Sequence, residues 1–229
     1  PGMKSSRILL RGSSSSEVCG VSVMRRVAVV YTGVGNVSSC FFALCQVHPR
    51  VQVVSSPTEL REDDLLVLLG VGSFGAYAQG LQRTGFADEL LKRRNQPLLG
   101  ICVGMQIFAN GSEECPTESG FGIVEGNVQS LRGLGAFDKR IPHTGWNSIC
   151  VKTGPEVPEP LKAVRGRDVF FTHSFALGAR TRTMIATTDY GVEFCSAVFD
   201  GSWLGVQFHP EKSHQVGLDF LESWVHWVT

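Results

Sequence analysis

Short apolar runs alternate with stretches of helical period along most of the chain. Val27 to Tyr31 is a continuous apolar, β-branched run, the pattern of a strand buried on both faces. Val51 to Val54, Leu65 to Leu69 and Leu98 to Ile101 repeat that pattern. Gly33 and Gly35 mark a turn after the first run, and Asn36 is placed to cap a helix reaching His48. A glycine-rich loop from Gly70 to Gly75 leads into helical stretches ending near Asn95, and Cys102 precedes a helix to about Ala109. Beyond Gly120 the texture changes. Val124, Val128, Val151, Val169 to Phe171, Met184 to Ala186 and Phe194 to Phe199 stand in short runs divided by Gly, Pro and Asp, which predicts an antiparallel extension of the sheet. Ser213 to Trp227 predicts a closing amphipathic helix. This order predicts an α/β fold, a doubly wound mixed sheet flanked by helices, with its site in the loops at the strand C-termini.

One domain is expected over residues 24–229. Residues 1–23 differ from it: Ser5, Ser6 and Ser13 to Ser16, with Lys4, Arg7 and Arg11, make a Ser-rich basic leader, read as an appended arm or a processed targeting piece. Lys+Arg 21 balance Asp+Glu 21, so the chain lacks the excess of positive charge that nucleic-acid binding needs. Apolar runs such as Leu65 to Leu69 are too short to cross a bilayer. Seven cysteines are an odd number, no two form a C-x-x-C pair, and no Cys/His spacing suggests zinc. The expectation is a reducing, cytoplasmic setting with mostly buried, inert thiols and no metal; import into an organelle through the leader is the alternative.

The sharpest local signal is Gly100-Ile101-Cys102-Val103-Gly104 between a strand and a helix. Flanking glycines let a strand turn sharply into a helix and leave the thiol exposed at the helix N-terminus, the shape of a nucleophile elbow with cysteine in place of serine. Read alone, it is equally a structural cysteine in a glycine-containing turn. A nucleophile needs a base, and the base needs orienting. Gly205 to Glu211 supplies both in His209-Pro210-Glu211, although any single His-Pro-Glu is more often a surface turn. Backbone amides of the Gly70-Val71-Gly72 loop and of Val103 are candidate oxyanion donors. Gly33-Val34-Gly35-Asn36 lacks the third glycine of a dinucleotide fingerprint, and no acid ends the following strand, so it reads as a tight turn. His143 to Asn147 and Phe170 to Phe175 read as loops packing an aromatic residue onto the core.

Taken together, Gly100 to Gln106 and His209-Pro210-Glu211 resemble the class I, triad-type glutamine amidotransferases. Gly70 to Gly75, Pro142 to Asn147, Phe171 to Phe175 and Gly205 to Ser213 are most similar, within that superfamily, to the glutaminase subunits of imidazole glycerol phosphate synthase in histidine biosynthesis. The resemblance implies a flavodoxin-like core. It implies Cys102 as nucleophile, His209 as proton carrier and Glu211 as its orienter. It also implies Val71 and Val103 as oxyanion donors, with Gly72, Gln106, Ser174 and Phe175 holding glutamine. It implies ammonia delivery to a (β/α)₈ cyclase partner in a heterodimer, with no cofactor. Two departures stand out: Leu69 where the family usually has proline, and Tyr31-Thr32-Gly33 where it usually has Asp-Tyr-Gly. A catalytically silent regulatory subunit and an amidotransferase feeding a different synthase are the rival readings.

Overall fold

The computed structural model describes residues 24–229, so the Ser-rich leader lies outside the described residues. The first half alternates strand and helix: β1 (Val27–Val30), α1 (Ser38–Val47), β2 (Val51–Val54), β3 (Leu65–Gly70), α2 (Phe74–Thr84), α3 (Phe86–Lys92), β4 (Leu98–Cys102) and α4 (Val103–Gln106). The second half is strand-rich. It runs β5 (Gly111–Ser112), β6 (Asn127–Ser130), α5 (Leu131–Leu134), β7 (His143–Ser148), β8 (Cys150–Val151), α6 (Glu159–Val164), β9 (Asp168–His173) and β10 (Phe175–Gly178). It ends with β11 (Met184–Asp189), β12 (Glu193–Phe199), β13 (Trp203–Val206) and α7 (His214–Val228).

The large sheet has the order β2-β1-β3-β4-β13-β12-β10-β6-β5, with β11 on β12 and β8 on β11. β2, β1, β3, β4 and β13 are mutually parallel. β1, β3, β4 and β13 are buried at every position, as expected of strands whose two faces are both covered. Order 2-1-3-4 followed by one more parallel strand is the flavodoxin-like arrangement, which opens a crevice beyond the strand C-termini. α7 buries Phe220, Leu221, Trp224 and Val225 and packs on α1 and α6.

Several expected boundaries move. Asn36 does not cap α1: its Oδ1 accepts from Ser38 N at 2.9 Å, but Val37 is the N-cap. The helix after Cys102 stops at Gln106 rather than near Ala109. The carbonyls of Ile107, Phe108 and Ala109 instead accept from the returning segment Phe121 to Val124, which ends the helical ladder. Val124 is therefore in a turn, not a strand. The antiparallel extension is real for β12, β10 and β11, but β5 pairs parallel with β6. Val169 to Phe171 leaves the large sheet altogether. β9 forms a separate antiparallel ribbon with β7, His143 opposite His173 and Trp146 opposite Phe170. The two aromatic clusters read as loops are the two strands of that ribbon; their partners are in each other, about thirty residues apart, where a local pattern does not show them.

The thiols also divide differently from expectation. Cys40, Cys102 and Cys195 are buried, while Cys45 and Cys150 are exposed and Cys115 is half-buried. Leu69 continues β3 opposite Ile101 and is buried. Thr32 is buried under α2, where the absence of a side chain at Gly80 lets the helix approach.

Candidate active site

Three neighbouring strands deliver the site. The ends of β3, β4 and β13 present the Gly70-Val71-Gly72 loop, Cys102, and the segment from Gln207 to Glu211. Cys102 sits at φ 54 and ψ −111, a left-handed backbone that a residue with a Cβ adopts only under strain. The flanking glycines are steric necessities. A Cβ on Gly100 would lie 2.5 Å from Gly104 O, and one on Gly104 would lie 1.9 Å from Leu68 O. A Cβ on Gly70 would lie 2.5 Å from Gly104 N, so the loop carrying Val71 rides directly over the start of α4. Gly35 completes this packing, since a Cβ there would fall 2.1 Å from Val71 Cγ2. The tight turn after β1 thus has a use that its sequence did not reveal.

On the other side, the chain leaves β13 through a bend at Gln207 and Phe208 to reach His209, where Pro210 starts a 3₁₀ turn over Pro210–Lys212. His209 is pinned by its backbone, with N donating to Phe170 O at 2.8 Å and O accepting from Ser213 Oγ at 2.7 Å. Glu211 Oε1 accepts from His209 Nδ1 at 2.7 Å, and both side chains are wholly buried. A carboxylate accepts, so the proton of that bond belongs to Nδ1, and Nε2 is left without a hydrogen-bond partner among the described residues. Burial disfavours charge on His209, but the Cys102 sulfur and the Glu211 carboxylate outweigh it and push the imidazole up to about 10. The site therefore favours a proton on His209.

A pocket of about 300 Å³ opens at this point, lined by Val71, Gly72, Cys102, Val103, Gln106, Ser174, Phe175 and His209 among others. Eight of the nine residues singled out in the sequence therefore share one cavity, and the ninth, Glu211, stands behind His209. Ser174 is a bend between β9 and β10 rather than part of a strand. Glu114, Pro142, Thr172, His173 and Lys212 line the same pocket without having been singled out as site residues. All but Glu114 lie within motifs that were read; Glu114 lies in a loop with no periodic signal and is held by Phe74 N donating to its Oε2 at 2.8 Å. Among the described residues no group of three His, Cys, Asp or Glu is arranged to hold a metal ion, and no helix is long and apolar enough to cross a membrane.

His173 is half of a buried pair. His143 Nδ1 and His173 Nε2 are 3.1 Å apart, and His173 Nδ1 meets Phe175 O at 2.9 Å. Desolvation drives His143 down to about 4 and His173, with a smaller contribution from the neighbouring His143 charge, down to about 3. The folded state refuses protons that the unfolded chain takes up below about 6.5, so stability should fall as pH drops from 6.5 towards 4. For His173 the slope is up to about 1.4 kcal/mol per pH unit. His209 acts oppositely: its contribution is complete below 6.5 and is lost as pH rises towards about 10. Urea unfolding across pH 4.5 to 7 reads the acid limb. A His173→Gln variant should flatten it, and an equal slope in variant and parent would refute the assignment.

The fold and site are thus a flavodoxin-like sheet with buried Cys102, His209 and Glu211 brought together at adjacent strand ends. Residues 29–225 match the model of the family Glutamine amidotransferase class-I, and the chain belongs to that family. Within it, the chain is similar to the imidazole glycerol phosphate synthase subunit HisH of Methanopyrus kandleri, at 37% identity over 86% of this chain and 95% of that subunit. It is likewise similar to HisH of a Synechococcus strain, at 39% identity over 89% of this chain and 94% of that one. HisH of Pyrococcus furiosus is 38% identical over 88% and 98% of the two chains. Among solved structures, PurLQS of Thermotoga maritima superposes with a TM-score of 0.67 at 18% identity, covering 90% of this chain and 100% of that one. A second, a glutamine amidotransferase, gives 0.64 at 20% identity, covering 86% and 98%. These two agree on the fold.

Proposed function

We infer that the chain hydrolyses glutamine to glutamate and ammonia as the amidotransferase subunit of an imidazole glycerol phosphate synthase, in histidine biosynthesis. The observation that carries the reading is the convergence of Cys102 with the buried His209–Glu211 pair in one amino-acid-sized pocket. The likeness to HisH subunits over nearly the whole of their length supports the choice of synthase.

In this mechanism the Cys102 proton passes to His209 Nε2 and the sulfur attacks the side-chain amide carbon of glutamine. Val71 and Val103 amides receive the oxyanion. His209 returns the proton to the leaving nitrogen, ammonia departs, and a γ-glutamyl thioester remains. Water activated by His209 then cleaves the thioester, giving glutamate and the free thiol. Gly72, Gln106, Ser174 and Phe175 hold the substrate. Glu114 and Lys212 are the two fully charged side chains lining the pocket, of opposite sign, and suit the α-ammonium and α-carboxylate of a zwitterion. No cofactor takes part. Ammonia passes to a (β/α)₈ cyclase bound in a heterodimer, in a reducing cytoplasm that keeps Cys102 a thiol.

The test is glutamate formation by the full chain alone, with a (β/α)₈ cyclase subunit, and with that subunit plus its ribonucleotide. Stimulation of about tenfold or more by the loaded partner is expected. A rate unaffected by the partner would point to a different synthase, and no hydrolysis under any condition would establish a silent regulatory subunit instead.

A further inference from the structure

The mechanism leaves one polar side chain at the reacting sulfur without a task. Gln207 is wholly buried, one residue past β13, and does not line the substrate pocket. Its Nε2 lies 3.7 Å from Cys102 Sγ, and its Oε1 accepts from Gln106 Nε2 at 3.0 Å. Gln106 Nε2 also donates to Phe175 O at 2.8 Å.

These contacts fix the direction of every bond. A backbone carbonyl can only accept, so the Gln106 atom facing Phe175 O must be the amide nitrogen. That nitrogen then requires the carbonyl end of Gln207 beside it, which leaves the NH₂ of Gln207 aimed at the sulfur. The same carbonyl fixes the neighbouring histidines: His173 Nδ1 must carry the proton it gives to Phe175 O, so His173 Nε2 accepts from His143 Nδ1. Phe175 O is thus the anchor from which both chains take their polarity. Gln207 cannot flip without setting two NH₂ groups against each other and a carbonyl against a thiolate.

We propose that Gln207 is a catalytic residue, whose side-chain NH₂ donates to the Cys102 sulfur, stabilises it as thiolate and holds it in the direction of attack. A donor to an anion at a buried position is worth more than a neutral hydrogen bond, and the thiol form of Cys102 gains much less from it. His209 takes the proton from Cys102; Gln207 supplies direction without taking one. The assignment of attack rests on the glutaminase reading, but the effect on the sulfur can be measured without it.

The experiment is iodoacetamide alkylation of the full chain, with peptide mapping to read each cysteine separately. Gln207→Glu keeps the shape and the acceptor for Gln106 but turns a carboxylate oxygen towards the sulfur; Gln207→Met removes both polar ends. At neutral pH Cys102 labelling should slow about tenfold in Gln207→Met and further in Gln207→Glu. Exposed Cys45 and Cys150 should label at unchanged rates, and buried Cys195 should stay protected, which certifies the fold in each variant. With the cyclase and its ribonucleotide present, kcat of Gln207→Glu should fall in parallel while KM for glutamine stays within about twofold, because that variant keeps the acceptor for Gln106 and position 207 lies outside the pocket. A residue that only fills space gives the reverse, because looser packing exposes Cys102 and speeds its labelling. Labelling at or above the parent rate in the near-isosteric Gln207→Glu would overturn the proposal even if glutaminase activity is confirmed. If neither variant kept Cys195 protected, Gln207 would be a structural residue and the proposal would fail.

Discussion

Replacing Cys102 by alanine is expected to abolish glutamine hydrolysis by the partner-activated enzyme, lowering kcat by about 10⁴-fold or more. The reason is that Cys102 is the one thiol among the residues lining the pocket; Ser174 and Thr172 also line it, but neither makes a hydrogen bond to the His209 imidazole that Glu211 holds. The fold should survive, since the side chain lost is small. A comparison of Cys102→Ala with Cys102→Gly adds a physical test. At φ 54 any Cβ is strained, so the glycine variant should be the more stable of the two by about 1 kcal/mol, read from urea midpoints at constant m. Hydrolysis by Cys102→Ala above about 1% of the parent rate would remove Cys102 from its proposed role.

The second large effect is structural. Gly104→Ala puts a Cβ 1.9 Å from Leu68 O, and the obstructing atom belongs to the backbone of β3, buried at every position. Neither partner can yield as a flexible side chain would. To make room α4 must lift off the sheet, or β3 must bend away from β4. A loss of about 3 kcal/mol or more is expected, lowering Tm by about 6–12 °C. Because α4 begins at Val103, the same displacement should misplace Cys102 and depress activity in whatever protein remains folded. Gly178→Ala is the control: its Cβ would meet only Leu134 Cδ2 at 3.5 Å, an ordinary contact, and should cost little. Equal melting temperatures for the two variants would show that α4 does not need its close seat on β3.

Both variants touch a motif that was visible in the sequence, yet for reasons that were only partly visible. Gly100 and Gly104 announce a sharp strand-to-helix turn. What makes them irreplaceable is the approach of Leu68, Phe108 and Gly70 from elsewhere in the chain. The buried His143–His173 pair was legible as two histidines in aromatic surroundings and illegible as a pair. Its two members come from strands whose register is set by a ribbon outside the main sheet. Glu114 and Gln207 follow the same rule, since each acts on a residue about forty or a hundred positions away.

The sequence by itself determined the parallel core, because uninterrupted apolar runs have no stable place except between two covered faces. It pointed to Cys102, His209 and Glu211 as candidates, because a nucleophile elbow and a His-Pro-Glu corner are local shapes encoded by local residues. Only the tertiary structure decided that β3, β4 and β13 lie side by side, which turns three separate loops into one pocket. It alone decided the direction of the amide chain from Phe175 O to the sulfur, since hydrogen-bond polarity depends on which groups meet. Zero net charge and an odd count of thiols narrowed the field; what singles out Cys102 from Cys40 and Cys195, the other buried thiols among the described residues, is the imidazole and the amide that the fold aims at it.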